Sequence, residues 1–379
     1  MPKTWISAAT RRLLALASAV TLVVALAPRA EALTVNCGDT LTASVTLTAD
    51  LHCPGPGFII GADDVTVDLA GNSLTGSGTS TAIRVQGRTG VSVLNGTISG
   101  FGSGASVTNV GSVAGQIAFT DVRLVGQSVS GYPGGKVTLS GGLSTCEVKG
   151  VTILYGSVTI DDCTVTGPIS IHSANYSAVR DSVLTGGSLT IAQSDLGVYT
   201  GNVFDGYPVT NGSECRRNLF KDNEFKNAPG TAFTAKEVFD PARATVVEDN
   251  VFRDNDIGLT GSGIRNVIVR DNMFEDNATV GMLLSNHHAM SSPAALSANV
   301  FTGNGHTPSG ITDTSGAPIQ GGIHLWTRTT NPIMRITLTD NIGTGNSGYM
   351  IWAPPAMVID GGGNQGPCGP SPNPDLTCF

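Results

Sequence analysis

His287, His288, His306 and His324 form the one dense group of histidines in the sequence, and Trp326 and Arg328 follow His324 at steps of two. Residues two apart on a strand share a face. An imidazole titrating near pH 6.5 gives or takes a proton near neutrality. A guanidinium grips a carboxylate at two points, and an indole offers a flat apolar surface with a polar edge. Together these groups suit an acidic polysaccharide cut by β-elimination. A cation neutralises the uronate carboxylate, a base takes the proton at C5, and an acid protonates the leaving oxygen. On this reading Arg328 is the clamp, His324 or His287 is the base, and Trp326 and Trp352 are sugar platforms. Asp313, in the long segment 302–322 before the strand at Ile323, joins the substrate-contacting set. Long segments without their own structure are usually functional or disordered. The alternative is that these are unrelated surface and loop residues.

The elements that must position these groups come from a repeat. GNVF, DNEF, DNVF, DNMF, ANVF and DNIG place asparagines at 202, 223, 250, 272, 299 and 341. The same pattern runs back through Ser182, Cys163, Cys146, Val122, Gly96 and Asn72, and forward to Asn364. A phenylalanine two residues on recurs at 204, 225, 252, 274 and 301. Irregular steps of about 20 to 27 residues signal a solenoid. Short alternating segments such as Val267-Ile268-Val269 and Ile323-His324-Leu325 read as strands, and no segment reads as a long amphipathic helix. One coil per repeat gives an all-β, single-stranded parallel β-helix of about 12 to 13 coils. Counting outward residues coil by coil gives a threonine file that includes Thr108, Thr138, Thr152, Thr190, Thr210, Thr234 and Thr260, then Leu283, His324 and Met350. A neighbouring file ends in Trp326 and Trp352.

This register resembles the right-handed parallel β-helix superfamily of pectate lyases, polygalacturonases and alginate epimerases, over roughly residues 36 to 366. The resemblance rests on the asparagine ladder and the phenylalanine column, features of fold and not of activity. A second segment, Glu237 to Arg243, is similar to the Tyr-Gly-Phe-Asp-Pro-His motif of alginate C5-epimerases in its Phe239-Asp240-Pro241. Glu237 and Ala242 stand where that motif has tyrosine and histidine. Lys236, Asp240 and Arg243 are the substrate-binding candidates there, and a turn-forming Asp-Pro is the plainer reading. The groove strand lacks the stacked carboxylates of a pectate lyase calcium site and the paired carboxylates of a polygalacturonase. No metal or other cofactor is expected.

The termini and the composition frame this core. A basic start, an apolar run over 13–27 and Ala30-Glu31-Ala32 read as an export signal over 1–32, ahead of a parallel β-helix domain over 33–366 and a disulfide-linked tail over 367–379. Losing the signal removes four of 21 basic residues and one of 29 acidic ones, so the net charge moves from −8 to −11. That balance speaks against nucleic acid and anionic membranes as partners. Seven cysteines in a secreted chain suggest three disulfides. Cys37–Cys53 and Cys368–Cys378 would close the ends. Cys146–Cys163 would join adjacent coils at the ladder position, where a spacing near 4.8 Å suits a disulfide. Cys215 is left over as a small core residue. The expectation is a secreted monomer that binds an extracellular polymer. The competing class is a non-catalytic surface or adhesion module that uses the threonine file or the tryptophans.

Overall fold

The computed structural model describes residues 35–236, 243–262, 265–286, 295–307, 309–327 and 335–379. The export-signal segment therefore lies outside the described residues, as do His287, His288, Arg328 and Asp240. The chain winds as a parallel β-helix of about 13 coils, all-β as the repeat implies. Each complete coil lays down three short strands, one on each of three faces. Face A stacks Ile169–His172, Leu189–Ala192, Val209–Asn211, Thr231–Lys236, Ile257–Ser262, Val280–Asn286, Gly321–Thr327 and Ile351–Trp352 in that order. Face B follows it in each coil, as in Ala178–Arg180 on Val198–Thr200, and face C completes the turn, as in Val183–Thr185 on Val203–Asp205. Alternation decides what enters the lumen. In Lys136–Ser140, Val137 and Leu139 are buried while Lys136 is exposed and Thr138 and Ser140 are half-buried.

The ladder runs through the corner between faces B and C in the predicted order. From Asn202 to Asn341, each asparagine donates its backbone N–H and its Nδ2 to Oδ1 of the next, as Asn250 does to Asn272 at 3.0 and 2.9 Å. Nδ2 also donates back to a carbonyl of the preceding coil, Phe220 in the case of Asn250. These amides satisfy backbone groups that water does not reach. The residue before each asparagine sits at positive φ, for example Asp222, Asp249, Asp271 and Asp340. Asp tolerates that conformation better than most side chains, which explains the recurrent Asp-Asn pair. Where the ladder position is Gly96, a Cβ would stand 2.5 Å from the Asn72 carbonyl oxygen.

Inside the ladder the five phenylalanines stack with centroids 4.6–4.8 Å apart and planes within 8°. All three expected disulfides form, and Cys146 and Cys163 have Cα atoms 4.8 Å apart. Cys215 is the free, buried thiol, and burial pushes its pKa up. The tail adds a last rung to face A, with Cys368–Gly369 pairing Ile351–Trp352.

The outward files need correction. Pairing connects Arg84 to Ser106, Ser106 to Ser130 and Ser130 to Thr152, so Thr108 stands in the neighbouring file and Thr138 lies on face B. Near the other end, His324 pairs with Trp352, and Met350 is wholly buried against the space left by Gly343. The slips at Thr108 and Met350 are by two residues, a shift that a period-two pattern does not register, whereas Thr138 belongs to a separate strand on another face. The corrected file is more regular than expected. Ser106, Ser130, Thr152, Ser170, Thr190, Thr210, Thr234 and Thr260 occupy consecutive rungs.

Candidate functional site

The hydroxyl file ends at Leu283, His324 and Trp352 on the last rungs of face A. His324 keeps the outward phase of its file, between the lumen-facing Ile323 and Leu325, yet only 1% of its side chain is exposed. Asp313, from the long segment before this strand, lies over it. Its Oδ2 is 3.2 Å from His324 Nε2 and accepts Trp352 Nε1–H at 3.1 Å. Its Oδ1 accepts the backbone N–H of Ser315 at 2.8 Å and of Ala317 at 3.0 Å, and the Ser315 hydroxyl at 2.5 Å. Five donors thus converge on one carboxylate. The His324 and Trp352 rings lie 6.1 Å apart at 21°, and Tyr349 packs beside Trp352 at 5.4 Å.

This geometry fixes the protonation pattern. Burial works against the charged form of Asp313, but the bonds from Ser315, Ala317 and Trp352 outweigh it and hold its pKa below the usual carboxylate value. Burial also lowers the pKa of His324, with the Asp313 charge opposing, so the ring is neutral at pH 7. A carboxylate only accepts, so the ring proton sits on Nε2. Nδ1 carries the lone pair and is buried with no hydrogen-bond partner among the described residues. A neutral imidazole held by a carboxylate at one nitrogen and bare at the other is a base of defined orientation.

The other expected residues fall in several places. Trp326 stands in the file next to His324, opposite Ser285. Lys236 belongs to the Trp326 file three rungs away, about 14 Å at the usual strand spacing. Arg243 begins the approach to the face B strand Thr245–Glu248, and its carbonyl accepts Arg217 N–H. His306 does not join His324. It lines a separate open groove of about 470 Å³ with Asp254, Asp256 and Asp276 at the corner between faces C and A. Among the described residues, no group of three His, Cys, Asp or Glu side chains converges as a metal ion requires.

Two features escaped sequence reasoning. Asp313 is a buried acceptor that orients a histidine, a role that depends on how a long segment folds back. A second asparagine ladder runs through the corner between faces C and A. There Asn255, Asn277 and Asn304 each donate backbone N–H and Nδ2 to Oδ1 of the next, ending on Asn346. Its signal was present as a recurrence five residues after the first ladder, in NVFRDN, NMFEDN, NVFTGN and NIGTGN.

No protein-family model matches the sequence, and no curated protein matches it. Solved structures do match in three dimensions at low identity. The catalytic domain of a GH87 alpha-1,3-glucanase aligns with a TM-score of 0.43 at 11% identity, covering 89% of this chain and 62% of that one. This chain thus spans less than two thirds of the glucanase chain. The A-module of the Azotobacter vinelandii mannuronan C-5 epimerase AlgE4 aligns at 0.44 and 15% identity, covering 89% and 91%. The periplasmic alginate epimerase AlgG aligns at 0.35 and 11%, covering 86% and 76%. These are likenesses of fold.

Proposed function

We propose that this chain is a secreted, carbohydrate-active β-helix protein that binds an acidic polysaccharide and cleaves it by β-elimination at the last rungs of face A. The observation that carries this reading is the Asp313–His324–Trp352 cluster at the point where the hydroxyl file ends. His324 Nδ1 takes the proton at C5 of a uronate. The C4–oxygen bond breaks, its electron pair leaves with the oxygen, a proton from a general acid or water completes the leaving group, and a C4–C5 double bond remains. Arg328 is the carboxylate clamp and His287 a second proton carrier. Trp326 and Trp352 offer apolar ring surface to the sugar. His324 is buried, so groups packed over Nδ1 move aside for the substrate while Asp313 stays on Nε2. Three disulfides favour an oxidising compartment.

The regular hydroxyl file supports a second reading, a non-catalytic polymer-binding module. An ultraviolet absorbance screen for unsaturated product on pectate, alginate and glycosaminoglycans separates the two. The enzyme reading expects product from at least one polymer and none with His324→Ala. Absence of product from all of them with the folded wild-type protein sinks elimination and leaves the module.

A further inference from the structure

Three tyrosines stand exposed on three successive coils at the corner between faces A and B, far from His324. Tyr132 is 57% exposed, Tyr155 61% and Tyr176 71%. They flank the hydroxyl file, since Tyr132 follows Ser130 by two residues and Tyr155 follows Thr152 by three. Tyr155 meets the half-buried His172 edge to face at 6.5 Å. The rings contribute little to the core, and two of them sit on costly backbone. Tyr155 and Tyr176 have φ of 61° and 62°, where bulky side chains are disfavoured. The same turn positions in following coils hold Ser173, Gln193, Leu196 and Arg217, also at positive φ, so the turn itself does not require a ring. Strain of this kind, kept with no packing return, points to a surface role.

Charge selects the occupant. Between Leu69 and Tyr176 the chain has four carboxylates, Asp121, Glu147, Asp161 and Asp162, against five cations, in a protein of net charge −8. Glu147 is paired with Arg123 and Asp121 accepts the Thr145 hydroxyl. Lys136 is exposed and pairs along the sheet with Ser157, which in turn lies beside Tyr176 by the register of the next pair, Thr159 and Ala178. Arg84 precedes Ser106 and Ser130 in the hydroxyl file. Flat rings, a row of hydroxyls and the exposed cations Arg84 and Lys136 match a sugar chain that carries carboxylates.

We infer that Tyr132, Tyr155 and Tyr176, with Lys136 and the adjoining hydroxyls, form a docking strip for an acidic polysaccharide strand. The strip lies along the corner between faces A and B about seven rungs, or roughly 34 Å, from His324. The inference shares with the proposed function the class of ligand, but not its cleavage. Affinity electrophoresis through gels containing alginate, polygalacturonate or a neutral glucan tests it. The wild-type protein is retarded by an acidic polymer and not by the neutral one. Tyr155→Gly with Tyr176→Gly weakens that retardation about tenfold or more. The thermal midpoint stays or rises, because glycine accepts the left-handed turn. Lys136→Ala weakens retardation further and flattens its salt dependence. Equal retardation of the double variant, retardation by the neutral glucan alone, or none by any polymer overturns the strip. Tyrosine-dependent retardation without any unsaturated product retires the cleavage reading alone, whereas product formation with unchanged retardation retires the strip alone.

Discussion

Asn250→Ala is expected to lower the stability of the folded chain by about 3–5 kcal/mol, read as a fall in the midpoint of urea unfolding. Asn250 sits at the centre of the first ladder and is 1% exposed. Its Oδ1 accepts both the backbone N–H and the Nδ2 of Asn223, at 3.0 and 2.9 Å. Its Nδ2 reaches the carbonyls of Phe220 and Glu248 and Oδ1 of Asn272. Truncation orphans two donors and two backbone acceptors where water cannot replace the lost amide. Each such buried group costs about 1–3 kcal/mol. Part of this is recovered as neighbours relax, and the smaller side chain opens space beside the Phe225–Phe252 stack. A loss below about 1 kcal/mol means that the ladder is a by-product of coil stacking and does not hold the corner together.

That ladder was legible in the sequence because its chemistry is local. A corner needs a residue that tolerates positive φ, then one whose side chain bonds up and down the stack, then one that enters the lumen. Asp271, Asn272 and Phe274 write those requirements out in order. The Cys146–Cys163 bond followed from the same register. The site was less legible for two physical reasons. Corner lengths vary between coils, and a shift of two residues preserves facing while moving a side chain to another file. This is how Trp352 was set beside Trp326, although it pairs with His324. The second reason is the long segment over 302–322. Nothing in its composition says that Asp313 turns back onto face A, while His306, seven residues earlier, lines another groove. The tyrosine strip shows the converse. Its residues are plain in the sequence, but their common corner appears only when coils of unequal length are stacked.

Asp313→Asn is expected to free the segment over His324 and to reduce turnover on a cleaved polymer by about 100-fold with little change in KM. Asp313 touches the imidazole and not the substrate, so it acts as a positioning residue. Its two oxygens serve five donors, and an asparagine amide would turn its own N–H groups toward either His324 and Trp352 or Ser315 and Ala317. Hydrogen exchange at the Ser315 and Ala317 amides reads the latch without reference to activity, and protection there is expected to fall at least about tenfold. The pH dependence gives the sharper test. Burial lowers the pKa of His324 in the closed state, so states that expose the ring bind a proton more readily. Protection is therefore full above about pH 6.5, the ordinary histidine value, and declines as pH falls from there toward the lowered value. The pKa of Asp313 is lowered too, so a second loss begins below about pH 4 as the open carboxylate takes up a proton first. Asp313→Asn abolishes the second step, and His324→Gln abolishes the first. Protection that rises on acidification from pH 7 to 6 would mean that the closed state holds an imidazolium. His324 Nδ1 would then carry a proton and could not serve as the base.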